Sequence, residues 1–257
     1  MRLVLDLKKS MDQNASVYYE KSKKAKRKLK GASETIEKTQ KELNKLLKTH
    51  EVAEKNRVVK VDRKKEWFEK FRWFYTSNGL LVIGGRDATT NEIVIKKHTD
   101  KEDIVFHTDM AGSPFFVLKT EGKKVDQKIL KEVADATCTF SRAWKLGIQS
   151  QDVFYVNPEQ VSKKQESGTT HLAKGAFMIY GKTNYMENKV NACVGMKDGM
   201  IMCGPCESVK KHCKEIIQVI QGKEKASVVA KKIKAKLGGE LDEIIRVLPS
   251  GSFEIKK

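Results

Sequence analysis

Cys203-Gly-Pro-Cys206 holds two thiols across a turn-forming pair, where an apolar strand pattern gives way to a helical one. A helix N-terminus there could lower a thiol pKa, so a thioredoxin-like redox site is one reading. The other is that Gly204-Pro205 makes the turn and starts the helix, while Cys206 and Cys213 fill its core face. The second fits better, because a thioredoxin needs a further strand pair and much of the chain beyond Cys206 reads as a basic helix. A zinc site from Cys203, Cys206, His212 and Cys213 fits worst, since adjacent His and Cys on a helix point to different faces.

His107 and Asp109 form a second pair. Residues i and i+2 of a strand project to one face, so this imidazole and carboxylate could share a metal or polarise a hydroxyl, with Asp87 and Asp103 nearby in sequence. No third ligand occurs at a diagnostic spacing, and a histidine bonded beside a carboxylate at a loop mouth is the commoner arrangement. Gly84-Gly85-Arg86-Asp87 sets two glycines and a guanidinium between a strand and a helix, where exposed amides and Arg86 could grip a phosphate oxygen. It is neither a P-loop nor a dinucleotide fingerprint, and a plain turn with an Arg86–Asp87 contact explains the same residues. Gln160, Ser162, Lys163 and Lys164, with Lys174 and Lys182, are interleaved with the rings of Phe154, Tyr155, Tyr180 and Tyr185. Such mixtures suit RNA, where rings stack on bases and lysines neutralise phosphate; a lysine-rich loop over aromatic core residues has the same composition.

The elements that must position these residues fall into two styles. Residues 12–69 are rich in Ala, Glu, Lys, Leu and Gln and lack Pro, which predicts helix throughout. Leu29, Ile36, Leu43 and His50 recur every seven residues, with Ala32, Thr39 and Leu46 beside them, a thin coiled-coil seam. At about 1.5 Å per residue such a helix is too long to lie inside one compact domain and should project, either as a single long arm or with a bend over residues 49–62 into a returning helix that ends at the aromatics 67–75, which root it in the globular domain. Beyond it, strands are predicted near residues 80–85, 103–108, 114–119, 153–157, 176–181, 190–196, 200–203 and 251–255. Helices are predicted at 89–98, capped by Thr or Asn, at 126–146 with a stop at Gly147, at 206–220 and at 227–237, the last followed by the segment 241–248 before the final strand. The irregular alternation favours an α+β domain, a mixed sheet with packed helices, preceded by a long projecting helical arm. Its parts are expected at 1–66 (basic arm), 67–222 (α+β domain) and 223–257 (basic helix and strand extension).

Composition narrows the partners. Lys plus Arg number 51 against 33 Asp plus Glu, a formal net charge of +18. Residues 1–65 hold 20 basic and 9 acidic side chains, a net of +11, and seven of the ten residues 21–30 are Lys or Arg. A stripe that includes Lys23, Lys24 and Arg27 attracts polyanions with a salt-sensitive affinity, although a solvated lysine-rich helix face has the same look. No apolar run is long enough to span a bilayer, and the start does not read as a secretory signal, so a cytoplasmic protein is expected. Five cysteines, an odd number, fit free thiols better than a disulfide framework.

Several of these segments together resemble one family. Trp73-Phe-Tyr-Thr-Ser-Asn-Gly-Leu-Leu-Val-Ile-Gly-Gly-Arg-Asp-Ala-Thr-Thr-Asn-Glu92 is similar to the opening of the NFACT-R domain of NFACT proteins. The resemblance continues through Asp103–Asp109, Ser141–Trp144 and Tyr155–Lys164 and ends in Lys174–Lys182, while Asn14–Lys24 resembles the start of the family's middle coiled coil. It implies a factor that binds the large ribosomal subunit after a stalled ribosome splits, recruits tRNA, and promotes untemplated C-terminal tailing of the nascent chain. Peptidyl transfer then belongs to the ribosome, so the resemblance implies no active site and no cofactor. The family's N-terminal domain, with its Asp-Arg tRNA-recruiting motif, and its helix-hairpin-helix region have no match here, so the chain is expected to be a fragment or a shortened relative, without tailing activity alone. Residues 223–257 resemble archaeal members more than eukaryotic ones, and Met110 and Arg142 depart from the family pattern.

The expected partners are tRNA, large-subunit rRNA, and ribosomal proteins or a partner helix along the arm. The expected RNA contacts are Arg86, Lys163, Lys164 and Lys182 on phosphate, His107 and Asp109 shaping a pocket, and Gly84, Gly85, Asp87, Gln160, Ser162 and Lys174 around it. Lys23, Lys24 and Arg27 would lie along the ribosome. A thiol oxidoreductase and a metal-dependent nuclease are the rival readings.

Overall fold

A computed structural model of the chain describes residues 4–8, 10–55, 65–163 and 172–256, and of residues 45–55 the backbone only. The chain divides into two compact units, residues 1–64 and 65–257.

The first unit is dominated by helix α1 (Met11–Lys55). Ser10 and Gln13 form a reciprocal cap, each side chain bonded to the other's backbone N–H. The preceding segment folds back on the helix: the Tyr18 hydroxyl donates to the Val4 carbonyl at 2.7 Å, and buried Asn14 ties Asp6 to the first turn. The helix continues unbroken past Thr49 to Lys55, so the predicted bend does not begin there. The rest of the predicted bend and the start of the returning helix, residues 56–64, lie outside the described residues. Leu29, Ile36 and Leu43 of the heptad seam are all exposed.

The second unit opens with a 3-10 turn, Trp67–Lys70, and then strand β1 (Arg72–Tyr75), so the aromatics expected to end a helix instead start a sheet. Aromatic side chains fit a pleated surface, and Trp73 and Phe74 both bury there. β2 (Leu81–Gly84) and helix α2 (Ala88–Lys97) come next, the helix capped by Asp87 rather than by Thr or Asn. β3 (Ile104–Thr108) and β4 (Phe116–Leu118) lead to α3 (Gln127–Phe140) and α4 (Arg142–Leu146). The predicted single helix is therefore two, broken at Ser141, whose hydroxyl accepts from Ala143 N and caps the second. The glycine stop is where it was expected, with Gly147 at φ 74°.

Beyond α4 lie β5 (Val153–Val156), the short pair β6 (Val161–Ser162) and β7 (Met178–Ile179), and β8 (Asn184–Met186). The chain ends with β9 (Ala192–Lys197), β10 (Met200–Gly204), α5 (Cys206–His212), β11 (Ile216–Lys225), α6 (Ala226–Leu237), α7 (Leu241–Val247) and β12 (Ser252–Ile255). The helix predicted over 206–220 stops at His212. From Ile216 burial alternates along the chain, and β-branched residues at that period pair as a strand with β9.

Two antiparallel sheets, ordered β1-β2-β4-β3-β5-β8 and β10-β9-β11-β12, share one apolar core. Helix α3 packs on the first sheet through β3, β4, β5 and β8, while α6 and α7 pack on the second. The sheets meet where β1 faces β10, and Gly204 has no room for a side chain because the ring of Phe74 occupies the space. Residues 216–256 join the same compact unit through the pairing of β11 with β9 and β12.

The cysteines correct the expectation of free thiols throughout. Cys193 and Cys206 form a disulfide, and Cys138, Cys203 and Cys213 are free and buried. Cys193 pairs in register with Gly204, and the chain then turns at Pro205, which brings Cys206 back beside it with the Cα atoms 4.7 Å apart.

Candidate nucleic-acid interface

The turn after β2, the β3–β4 loop, the α3–α4 junction and residues 174–177 surround a cleft of about 390 Å³. Close backbone approach builds one side of it. A Cβ on Gly85 would strike the Asn91 side chain, whose Oδ1 accepts from Phe115 N, and a Cβ on Gly175 would meet the Ala88 backbone at 2.5 Å. Gly175 N also donates to Glu92 Oε2 at 3.2 Å, and Lys163 pairs with the same carboxylate at 2.9 Å. Glu92 thus fastens the segments around 163 and 175 to α2, and its carboxyl is held down to about 2 by hydrogen bonds from Lys96, Lys163 and Gly175 N.

The double-glycine turn works differently from the phosphate grip expected of it. Gly85 N donates to the Phe115 carbonyl, while Arg86 N and Asp87 N both donate to Thr90 Oγ1, so these amides are already bonded. The Arg86 guanidinium turns inward and donates to the carbonyls of Phe71 at 2.7 Å and Arg246 at 2.9 Å. Burial, with Arg246 and Arg72 nearby, pushes its pKa down to about 9. Asp87 accepts from Thr90 N as the α2 cap, a bond that lowers its own pKa.

The other predicted residues separate. His107 lines the cleft, its ring stacked on Phe115 at 4.0 Å with Nε2 3.1 Å from the Ser113 carbonyl. Burial lowers its pKa and favours the neutral ring. Asp109 is exposed outside the cleft lining, where the Tyr185 hydroxyl donates to it at 3.1 Å, so the two side chains do not form one pocket. Among the described residues, no group of three His, Cys, Asp or Glu side chains could hold a metal. Gln160 braces the backbone, donating to the carbonyls of Tyr180 and Lys182, and Ser162 pairs in register with Met178. Lys163 lies over the Phe177 ring. Lys174 is exposed at the cleft edge, Lys182 is exposed elsewhere, and Lys164 lies outside the described residues. Lys23, Lys24 and Arg27 are exposed on α1. Of the rings taken as available for stacking, Phe154 is core and Tyr185 is exposed.

Sequence reading missed Arg72, Lys145, Phe115 and Phe177 as cleft residues, and left Arg142 without a role. Arg72 was visible as a lone cation inside the run Phe71–Tyr75. It is buried, lies over the Phe140 ring at 4.7 Å and donates to the Leu248 carbonyl, and burial pushes its pKa down to about 10. Around the cleft Arg72, Arg86, Arg142, Lys145 and Lys174 face one described carboxylate, that of Asp87.

A cleft walled by rings and lined by five cations against one described carboxylate, on a mixed α+β scaffold, is the build of a polyanion-binding domain. Residues 70–181 match the NFACT protein RNA binding domain, and the chain belongs to the NFACT family. It is 45% identical over 206 residues to the archaeal Rqc2 homolog aRqcH of Methanocaldococcus jannaschii, covering 77% of this chain and 30% of that one. It is 35% identical to the ribosome quality control complex subunit NEMF homolog of Drosophila melanogaster over 71% of this chain and 18% of the relative. The human subunit NEMF is 34% identical over 67% of this chain and 16% of its own length. The chain spans less than a third of the length of these curated relatives.

Proposed function

We propose that this chain is an RNA-binding part of a ribosome quality control factor, holding tRNA and large-subunit rRNA during rescue of stalled translation in the cytoplasm. The observation that carries the reading is the excess of cleft cations over described carboxylates, inside a region that matches an RNA-binding domain. The basic stretch 21–30 of α1, exposed along its length, supplies further sequence-independent attraction. No helix among the described residues is long and apolar enough to cross a membrane.

The chain contributes binding rather than bond-making. Cys206 is held in a disulfide with Cys193 and not with Cys203, whose thiol burial pushes up to about 12, the reverse of a reactive cysteine. The exposed seam of Leu29, Ile36 and Leu43 also favours a partner helix along α1. Filter binding of tRNA across a salt series tests the main reading. The expected plot of log affinity against log salt is linear, with a slope of about −0.7 to −0.9 per phosphate contact and a total of several units. Absence of binding at low salt overturns it.

A further inference from the structure

Charges taken out of water are normally matched by opposite charge. Arg72 and Arg86 break that pattern: both line the cleft, both bond to backbone carbonyls, and the Nε of each is buried with no hydrogen-bond partner among the described residues. The one described carboxylate of the cleft, Asp87, is engaged as the α2 cap. Three further cations, Arg142, Lys145 and Lys174, stand exposed at the mouth. Between them the wall is apolar and aromatic, with Pro114, Phe115, Phe140 and half-buried Phe177. The Phe177 ring meets Phe115 edge-on at 5.5 Å and carries Lys163 over it. The volume of about 390 Å³ is that of a small-ligand pocket, too small to admit a duplex.

We infer that this cleft receives one unpaired nucleotide of a bound RNA strand, its phosphate at Arg142, Lys145 and Lys174 and its base against Phe177. The inference rests on the RNA-binding reading and adds to it a base-dependent subsite. A purely electrostatic track would need no apolar wall, and a pocket for an apolar ligand would not gather five cations around one carboxylate. Base stacking on a ring is tolerant of sequence, so the subsite should discriminate strandedness rather than identity.

The test uses the full chain and fluorescein-labelled RNA of about eight nucleotides, compared with its abasic counterpart and with a duplex of the same length. Intact single strand should bind roughly tenfold tighter than the abasic strand. Phe177→Leu, which keeps an apolar contact with Phe115, should bring that ratio close to one by weakening the intact strand, and Phe177→Ala should do the same if circular dichroism shows it folded. Arg142→Ala with Lys174→Ala, both exposed, should weaken intact and abasic strands alike. Equal affinity for intact and abasic strands, or a ratio untouched by Phe177→Leu, overturns the inference while tRNA binding leaves the broader reading standing. Failure of the unaltered chain to bind tRNA at low salt overturns both.

Discussion

Two charged clusters with buried members, one around Lys119 at the end of β4 and one of Arg72 and Arg86 at the cleft, are built in opposite ways. Lys119 is bonded to buried Asp103, to Asp100 at 2.6 Å and to the His98 carbonyl, while Asp103 also accepts from Asp100 N and Thr120 N. Burial alone would lower the Lys119 pKa, but the hydrogen bonds to the two carboxylates raise it above its ordinary value. Arg72 and Arg86 have only carbonyls, and burial drives both pKa values down, to about 10 and about 9. The first cluster is complete in itself and acts as a structural clasp between the α2–β3 turn and the end of β4. The second is a net positive field in which five cations meet one described carboxylate, Asp87, already engaged as a helix cap, and such an excess suits a site for an external anion.

The contrast predicts different consequences of breaking each. Asp103→Ala removes a partner from a buried pair and two acceptors from backbone amides, and should lower unfolding stability by roughly 3 kcal/mol, with exposed Asp100 retaining part of the Lys119 interaction. Urea denaturation checks it. Arg72→Met removes a cation that has no carboxylate to strand, so the cost should be nearer 1 kcal/mol, the bond to the Leu248 carbonyl. Its larger effect should fall on tRNA affinity at constant salt, roughly threefold weaker through the lost field. If Asp103→Ala also weakened tRNA binding while remaining folded, the division between clasp and site would be wrong.

Glu92 sits between the two behaviours, because it is a carboxylate next to the cleft that is fully engaged with Lys96, Lys163 and Gly175 N. Its folded pKa, about 2, lies below the ordinary value of 4.5. Its contribution is therefore fully present above the unfolded value and is lost as pH falls through about 2. Amide exchange of Gly175 and its neighbours should quicken across that acid window. Glu92→Gln should show the quickened exchange already at neutral pH and a flatter acid response.

How much of this was legible in the sequence depends on whether a feature is set by local or by distant chain. The apolar stripe of α3 and the stop at Gly147 are local, and both were readable. Ile216, Ile217 and Ile220 satisfied helical spacing from Cys206, and only the pairing of Ile216 and Ile217 with β9 and of Ile220 with β12 decides for a strand. The role of Arg86 could not be read from its glycine turn, because the Arg246 carbonyl that it reaches is 160 residues away. The Cys193–Cys206 disulfide likewise depends on the register of β9 against β10. For the same reason His107 and Asp109, two apart, looked like one site although only His107 reaches the cleft.

The smallest effects belong to the basic stretch 21–30 of α1, where every side chain is exposed. Lys23, Lys24 and Arg27 are exposed on a helix whose N-terminal cap is made by Ser10 and Gln13. Replacing all three with alanine should change stability by less than about 0.5 kcal/mol per site, since alanine is a good helix former and no packing is lost. The salt slope of tRNA binding should become shallower by about 0.7 to 0.9 for each residue that contacts a phosphate. Because exposed charges are screened within roughly 10 Å at 0.1 M salt, this loss should fade as salt rises, while the loss from Arg72→Met, set inside the protein, should persist. Equal salt dependence of the two variants would mean that helix and cleft present the same kind of surface, and the distinction between an open polyanion track and an enclosed site would fail.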